Sequence, residues 1–221
     1  MFSNRERKLE RLNNHIGDTV NVHVYNLIIG ALISYGLIVN ILMVNFFGET
    51  FMNINPIGFL IGYFISCIVG SLMAAKSSNP FISFIGYNLI VVPIGILLCL
   101  CLPDYSSSII LPTIVITGVI TIVMMILATM VPHFFRGLGS TLFIVLIVNL
   151  IVELIAIFAF GYNGNFFNWI CVLLFSAYIG YDWCKAQDYS KTVDNAVDSA
   201  IDIYLDIINL FIRILDILND D

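Results

Sequence analysis

The chain has 221 residues, of which 60% are hydrophobic and only 11% are charged, and its formal net charge is −6. Because about a quarter of the residues of a soluble domain are charged, this composition argues against a soluble enzyme and predicts a membrane protein. The nine Lys and Arg residues lie mainly at the ends of apolar segments, so nucleic-acid binding has no support.

The first 24 residues are polar and mixed in charge, which predicts a cytoplasmic N-terminal segment (residues 1–24) without a cleavable signal peptide. Apolar segments long enough to cross about 30 Å of hydrocarbon then recur along the chain. Six of them are predicted spans, and an amphipathic segment is the seventh: Tyr25–Phe47, Ile57–Ala75, Phe81–Leu102, Ile109–Val131, Leu138–Phe160, Phe166–Trp183 and Ala196–Leu218. The connections are too short to hold another domain. We therefore predict a single polytopic membrane domain over residues 1–221, with seven helices within residues 25–218.

Most of the basic residues fall on one side of the predicted membrane. They precede the first span or follow the second, fourth and sixth: Arg5, Arg7, Lys8, Arg11, Lys76, Arg136, Lys185 and Lys191. The loops after the first, third and fifth spans contain no Lys or Arg. The positive-inside rule therefore places the N-terminus in the cytoplasm. Arg213, within the seventh span, is the exception.

Some residues within the spans predict particular contacts. Gly58, Gly62 and Gly70 in the second span predict close packing against another helix. The five cysteines form no CxxC pair and are interpreted as small buried side chains, not as metal ligands. Glu153 follows Asn149 by one helical turn in the fifth span, ~22 Å from its cytoplasmic end. It is either a protonated structural group or part of an ion path.

The last span carries a stripe of polar residues at helical spacing. Its members recur every three or four residues, within an arc of roughly 120°: Asp194, Asp198, Asp202, Asp206, Asn209, Arg213 and Asp216. A carboxylate in hydrocarbon costs about 2.5–3.5 kcal/mol, so these acids need polar partners or a water-filled path. We therefore predict an all-α membrane fold in which the C-terminal helix is enclosed by the other six.

Asp182, near the end of the sixth span, lies 24 residues before Asp206. If the last two spans form an antiparallel hairpin, each arm is ~12 residues or ~18 Å long, and the two carboxylates reach a similar depth. Two close carboxylates in a low dielectric resist joint ionisation and titrate as a coupled unit. We expect them within hydrogen-bonding distance, although two separately satisfied acids are the alternative.

The block Ile203-Tyr-Leu-Asp-Ile-Ile-Asn-Leu-Phe211, the acidic tail and the pair Tyr181-Asp182 resemble the transmembrane Bax-inhibitor-motif family. The resemblance implies seven helices with the last one enclosed by six others. For bacterial members it also implies a proton-sensitive calcium leak whose opening is controlled by two aspartates. Carried over by position, these are Asp182 and Asp206. Short loops fit a bacterial plasma membrane, although relatives also occupy eukaryotic internal membranes.

In some relatives a basic residue can reach the two aspartates, and we call this residue the latch. The chain departs from its relatives in this part of the sequence. Lys76 is the candidate at the end of span two, where relatives can carry such a residue. An acidic residue that some relatives have in span two is missing, and Pro132–Gly139 replaces a basic-Asp-Leu-Ser pattern. Arg213, two turns beyond Asp206, is the second candidate. It could reach Asn209, favour the ionised form of Asp206, or extend to the outer headgroups.

These features predict a pH-sensitive calcium leak channel that is not an enzyme. Calcium, a cation with six to eight oxygen ligands, would bind transiently at Asp182 and Asp206. Further candidates for the ion path are Asp198, Asp202, Asn209 and Glu153. The expected partners are calcium ions, protons and membrane lipid, with no cofactor.

Three other functions remain open from the sequence. A proton-coupled carrier also needs buried acids, but the chain shows no inverted repeat of interrupted helices. A non-conducting regulatory or stress-response membrane protein is the second alternative. An intramembrane aspartyl hydrolase could use paired aspartates, but Tyr181-Asp182-Trp183 lacks the Gly-rich motif expected there.

Overall fold

A computed structural model describes residues 19–51, 54–162 and 164–219. These residues form eight α-helices, one short 3-10 helix and one isolated β-bridge. The α-helices are α1 (Val22–Phe51), α2 (Pro56–Lys76), α3 (Pro80–Cys101), α4 (Ser107–Met130), α5 (Pro132–Arg136), α6 (Gly139–Phe160), α7 (Phe166–Asp188) and α8 (Val193–Asn219). The 3-10 helix, Leu102–Asp104, follows α3.

Capping residues explain where several helices begin and end. The Asn55 side chain accepts a hydrogen bond from the Gly58 amide before α2, and Asn79 accepts one from the Phe81 amide before α3. Asparagine is a preferred N-cap because its side-chain oxygen satisfies an amide that lacks a helical partner. Helix α6 ends at Gly161, whose φ of 64° is left-handed and suits a residue without a Cβ.

Five helical segments are long and apolar enough to cross a membrane, among the residues that the structure describes. They are Val22–Phe51, Ile57–Lys76, Pro80–Asp104, Ser107–Met130 and Gly139–Phe160, and they coincide with the first five predicted spans. Helices α7 and α8 have 23 and 27 residues, which is enough to span about 30 Å. Their polar residues make them less apolar, so a count of seven spans stays a prediction.

The chain divides into two compact units. Among the described residues, one consists of residues 19–51, 54–104 and 188–202, and the other of residues 105–162, 164–187 and 203–219. Helix α8 contributes its first ten residues, 193–202, to the first unit and the remainder to the second.

In the first unit, small residues bring α2 and α3 into close contact. A Cβ added to Gly70 would lie 2.5 Å from the Gly86 carbonyl oxygen, so neither helix could approach this closely with a larger side chain. The Ser66 hydroxyl donates to the Leu89 carbonyl at 2.6 Å across the same contact. The predicted close packing is thus confirmed for Gly70. It is wrong for Gly62, which has open space beside it, because glycine spacing alone does not identify the packed face.

In the second unit, aromatic rings fill the space left by glycines. The Phe135 ring of α5 lies against Gly180 of α7, and the Tyr181 ring lies against Gly139 at the start of α6. The Trp183 indole donates to the Thr129 hydroxyl at 3.0 Å. Residues 132–139 therefore fold as α5 and the start of α6, and they pack against α7.

The five cysteines are free thiols: Cys67, Cys99, Cys101, Cys171 and Cys184. Three of them, Cys99, Cys171 and Cys184, are buried as predicted, and the Cys184 thiol donates to the Ala128 carbonyl. Cys67 and Cys101 are only half-buried.

Gly70→Ala should lower the free energy of unfolding by about 1–3 kcal/mol, the usual effect of overpacking. The added methyl group would meet the Gly86 carbonyl and the Leu89 side chain. Gly62→Ala, on the same helix, is the matched control, because its methyl group enters open space. Thermal unfolding in detergent should show a lower midpoint for the first variant alone. Equal midpoints would contradict this packing.

Candidate functional site

Helix α8 is buried along nearly its whole length. Only Asn209 and Asn219 of its 27 residues are exposed. The side chains of Asp194, Asp198 and Asp206 belong to residues only 8%, 6% and 7% exposed. An amphipathic helix on a protein surface would leave its acidic face open, whereas both faces of α8 are covered. These three acids are therefore covered by protein.

Asn209 departs from the sheltered position expected for the stripe. It is exposed, and its side-chain amide donates to the Leu205 carbonyl one turn earlier, at 2.8 Å. An amide that binds its own helix meets part of its hydrogen-bonding need without another helix. Asp202 is half-buried.

Two acids of the second unit lie within electrostatic range of one tyrosine. Asp182 of α7 and Asp206 of α8 are both buried. Each carboxylate lies close enough to the Tyr178 hydroxyl to interact with it electrostatically. Tyr178 precedes Asp182 by one helical turn and therefore shares its face. Both carboxylates therefore act electrostatically on the same hydroxyl, and a direct hydrogen bond between the two aspartates stays a prediction.

Lys185 is a cation beside Asp182. In the sequence it indicated only the orientation of the chain in the membrane. Its Nζ lies 3.4 Å from Asp182 Oδ1, and the two side chains are 26% and 11% exposed. Residues three apart on a helix are neighbours, so the spacing itself could have indicated this pair. A partly exposed ion pair contributes little to stability, but this one places a positive charge next to Asp182.

Arg213 forms the best-defined ion pair of the second unit. Its two terminal nitrogens bind the two carboxylate oxygens of Glu153 at 2.7 and 3.2 Å. One of them also donates to Asn168 Oδ1 at 2.7 Å. A planar guanidinium matches a carboxylate in this two-pronged way, which makes the pair strong and directional. The arginine of α8 is thereby held by α6 and α7 together.

This arrangement gives both residues a partner that the sequence did not indicate. The charge of Arg213 faces Glu153 and Asp216, and Glu153 is the carboxylate of the ion pair. Contact of Arg213 with Asn209 or with headgroups, and a role of Glu153 in an ion path, stay predictions. The two residues are 60 positions apart, so helical spacing could not reveal that they meet.

Polar neighbours extend this ion pair. Asn165 accepts a hydrogen bond from the Asn168 amide at 2.9 Å. The Asn149 amide lies 3.2 Å from the Cys171 sulfur, and Cys171 interacts electrostatically with both members of the pair. Amide and thiol dipoles at this contact reduce the cost of burying the two charges.

A separate polar cluster in the first unit surrounds Tyr25. The Tyr25 hydroxyl shares a hydrogen bond with the Ser199 hydroxyl at 3.0 Å and interacts electrostatically with Asp198. Nearby on α8, Asp194 accepts a bond from Ser83 of α3 at 2.6 Å. Asp194 of the stripe thus contacts α3, and Asp198 lies within electrostatic range of Tyr25 of α1.

The loop before α8 is tied to the start of the described chain. The Val20 amide donates to the Lys191 carbonyl at 2.7 Å, and Thr19 forms a β-bridge with Thr192. The Lys191 ammonium lies 4.8 Å from the centre of the Tyr25 ring. Burial lowers the pKa of Lys191, and the charge of Asp188 partly offsets this effect.

Lys76 is the last residue of α2 and is exposed. Within the described part of its unit it makes no hydrogen bond or ion pair. Its predicted contact with the aspartates stays a prediction.

One family model matches almost the whole chain. It is described as inhibitor of apoptosis-promoting Bax1 and matches residues 14–221. No curated protein and no solved structure matches the chain.

Breaking the Glu153–Arg213 pair should destabilise the protein by about 3 kcal/mol, near the lower end for buried pairs because both side chains are partly exposed. Arg213→Met and Glu153→Gln should each lower the midpoint of thermal unfolding. The double variant should recover part of the loss, because it leaves no unpaired charge.

Lys76→Met is the control for this prediction, because Lys76 is exposed and its loss should change stability by less than about 0.5 kcal/mol. Strict additivity of the two single substitutions would show that the side chains do not interact.

Proposed function

Because the chain belongs to the Bax inhibitor family and has several apolar helices long enough to cross a membrane, it is an integral multi-pass membrane protein, and we propose that it is a pH-sensitive calcium leak channel. The observation that supports the proposal is the burial of Asp182 and Asp206, two acids on different helices that both lie within electrostatic range of Tyr178. Buried acids of this kind are typical of proton-sensitive elements.

The proposed gate is the protonation of the Asp182–Asp206 pair. Two carboxylates close together in a low dielectric resist carrying two negative charges. Uptake of a proton removes one charge and adds a hydrogen-bond donor between α7 and α8. Both changes alter the relative free energies of closed and open arrangements, and the populations shift accordingly.

Calcium would pass by weak, successive contacts with oxygen atoms. Carboxylates are suitable ligands for calcium, and the acids of α8 are spread along the helix. A leak requires sites that release the ion as readily as they bind it. Asp182 and Asp206 would bind calcium transiently, and Asp198 and Asp202 would attract it along the path.

The proposed arrangement has seven spans, with α8 enclosed by the other six and the N-terminus in the cytoplasm of a bacterial cell. The burial of α8 supports the enclosed position, because lipid would not accommodate its acids. The absence of Lys and Arg from alternate loops supports the orientation.

We assign the role of the cation beside the gate to Lys185. It already lies 3.4 Å from Asp182, whereas the guanidinium of Arg213 is engaged by Glu153 and Asn168. A positive charge at this distance favours the ionised form of the aspartate. Lys76 and Arg213 serve as comparison residues in the tests.

The central test is calcium flux into liposomes that contain only the purified protein, measured across a range of pH. The unmodified protein should give a flux that depends on pH. Asp182→Asn and Asp206→Asn should each remove that dependence, because neither side chain can then change its charge. Asp104→Asn, at an exposed site, is the control and should retain it. A flux equal to that of protein-free liposomes at every pH would reject the leak function.

The cation can be tested through the pH midpoint of the flux. Lys185→Gln should move the midpoint to higher pH, because without the nearby positive charge the aspartates take up a proton more readily. Lys76→Gln and Arg213→Gln should leave the midpoint in place. A shift in the Lys76 variant, with none in the Lys185 variant, would transfer the role to Lys76.

Counterflow of a second solute distinguishes the leak from a proton-coupled carrier. A carrier would exchange calcium faster when that solute is present on the opposite side, whereas a leak would not respond.

A further inference from the structure

A shallow groove lies where α2 ends and α3 begins. Its volume is about 450 Å³, and it is lined by Val69, Leu72, Met73, Lys76, Ser77 and Ile82. Most of its wall is aliphatic, and no acidic side chain contributes to it. The groove therefore combines hydrocarbon walls with one positive charge.

The close approach of the two helices creates this groove. Gly70 and Gly86 bring α2 and α3 together, and Ala74 is buried at the same contact. The longer side chains beside this contact remain outside it. Val69 is 43% and Leu72 is 48% exposed, so they form a wall that faces outward from the helix pair.

The end of the groove carries hydrogen-bond donors. The Lys76 ammonium is exposed and makes no hydrogen bond or ion pair within the described part of its unit. Ser78 and Asn79 in the connection to α3 are also exposed. The side-chain oxygen of Asn79 accepts a hydrogen bond from the Phe81 amide, and its NH₂ group is a further donor. Donors without an acidic neighbour suit a negatively charged ligand.

We propose that this groove binds one anionic phospholipid, with its phosphate on Lys76 and an acyl chain along Val69 and Leu72. Charge complementarity identifies the headgroup, because the groove contains a cation and no anion. The aliphatic wall identifies a ligand with a hydrocarbon chain, since a free phosphate would leave that wall without a partner. The ligand comes from the leaflet on the Lys76 side of the membrane, where a basic residue at a helix end attracts anionic lipid.

The proposal also explains the position of Lys76. A lysine at the end of an apolar helix extends its methylene groups along hydrocarbon and its ammonium toward the headgroups. In this protein the extended side chain borders a groove, so the ammonium and the acyl wall can hold the same molecule. The role does not depend on conduction of calcium.

The test is native mass spectrometry of the full-length protein with phosphatidylglycerol or with phosphatidylcholine of the same acyl chains. The unmodified protein should bind the first phosphatidylglycerol more tightly than the first phosphatidylcholine. Lys76→Gln should reduce this preference by about fivefold, which corresponds to ~1 kcal/mol for one lysine near an anionic surface. Lys76→Arg should retain it.

Arg136→Gln is the matched control, because it removes another exposed basic charge at a helix end and should leave the preference unchanged. Equal affinity for the two lipids, or an equal loss of preference in both Gln variants, would overturn the proposal. Displacement of the bound lipid by inorganic phosphate at millimolar concentration would also overturn it, since the site would then be an anion site without a role for the acyl wall. Because Lys76 is exposed, its variants should unfold at the same temperature as the unmodified protein in lipid-free detergent.

Discussion

The cost of placing carboxylates in hydrocarbon governs the structure of this protein. Helix α8 carries acids along its length, and the rest of the chain is too apolar to offer many polar partners. The fold meets this constraint by burying α8 on nearly all sides and by supplying a few well-placed groups. Ser83 binds Asp194, Tyr178 neighbours Asp182 and Asp206, and Arg213 binds Glu153. The apolar helices therefore have two roles: they are suited to a hydrocarbon environment, and they supply the few polar side chains that bind the acids.

Periodicity and composition were sufficient to predict the helices, but not which side chains meet. The first five spans follow from runs of apolar residues, and the burial of Asp206 follows from the cost of exposing a charge to lipid. The partner of Arg213 did not follow, because Glu153 lies on another helix and no spacing relates the two. Lys185 was within reach of the sequence, since it lies one turn from Asp182. Its charge was used for topology alone.

Two ion pairs of the second unit, Arg213 with Glu153 and Lys185 with Asp182, differ in geometry. Asn168, near the start of α7, helps to hold Arg213, and Asp182 lies about 14 residues or ~21 Å further along the same helix. The Arg213 contact is two-pronged and resists rotation, while the Asp182 contact with Lys185 is single and longer. In the proposed gate, a change of charge at Asp182 would act on α7 at a point ~21 Å from the residue that helps to hold Arg213.

The contacts of Tyr25 with α8 join residues that are far apart in the chain. Tyr25 lies in α1, and its partner Ser199 is 174 residues later. The bridge between Thr19 and Thr192 spans a similar separation. A ribosome synthesises Tyr25 well before Ser199, so these contacts can form only after the apolar helices between them have been made. A chain that stops before residue 192 would keep those helices and lack both contacts.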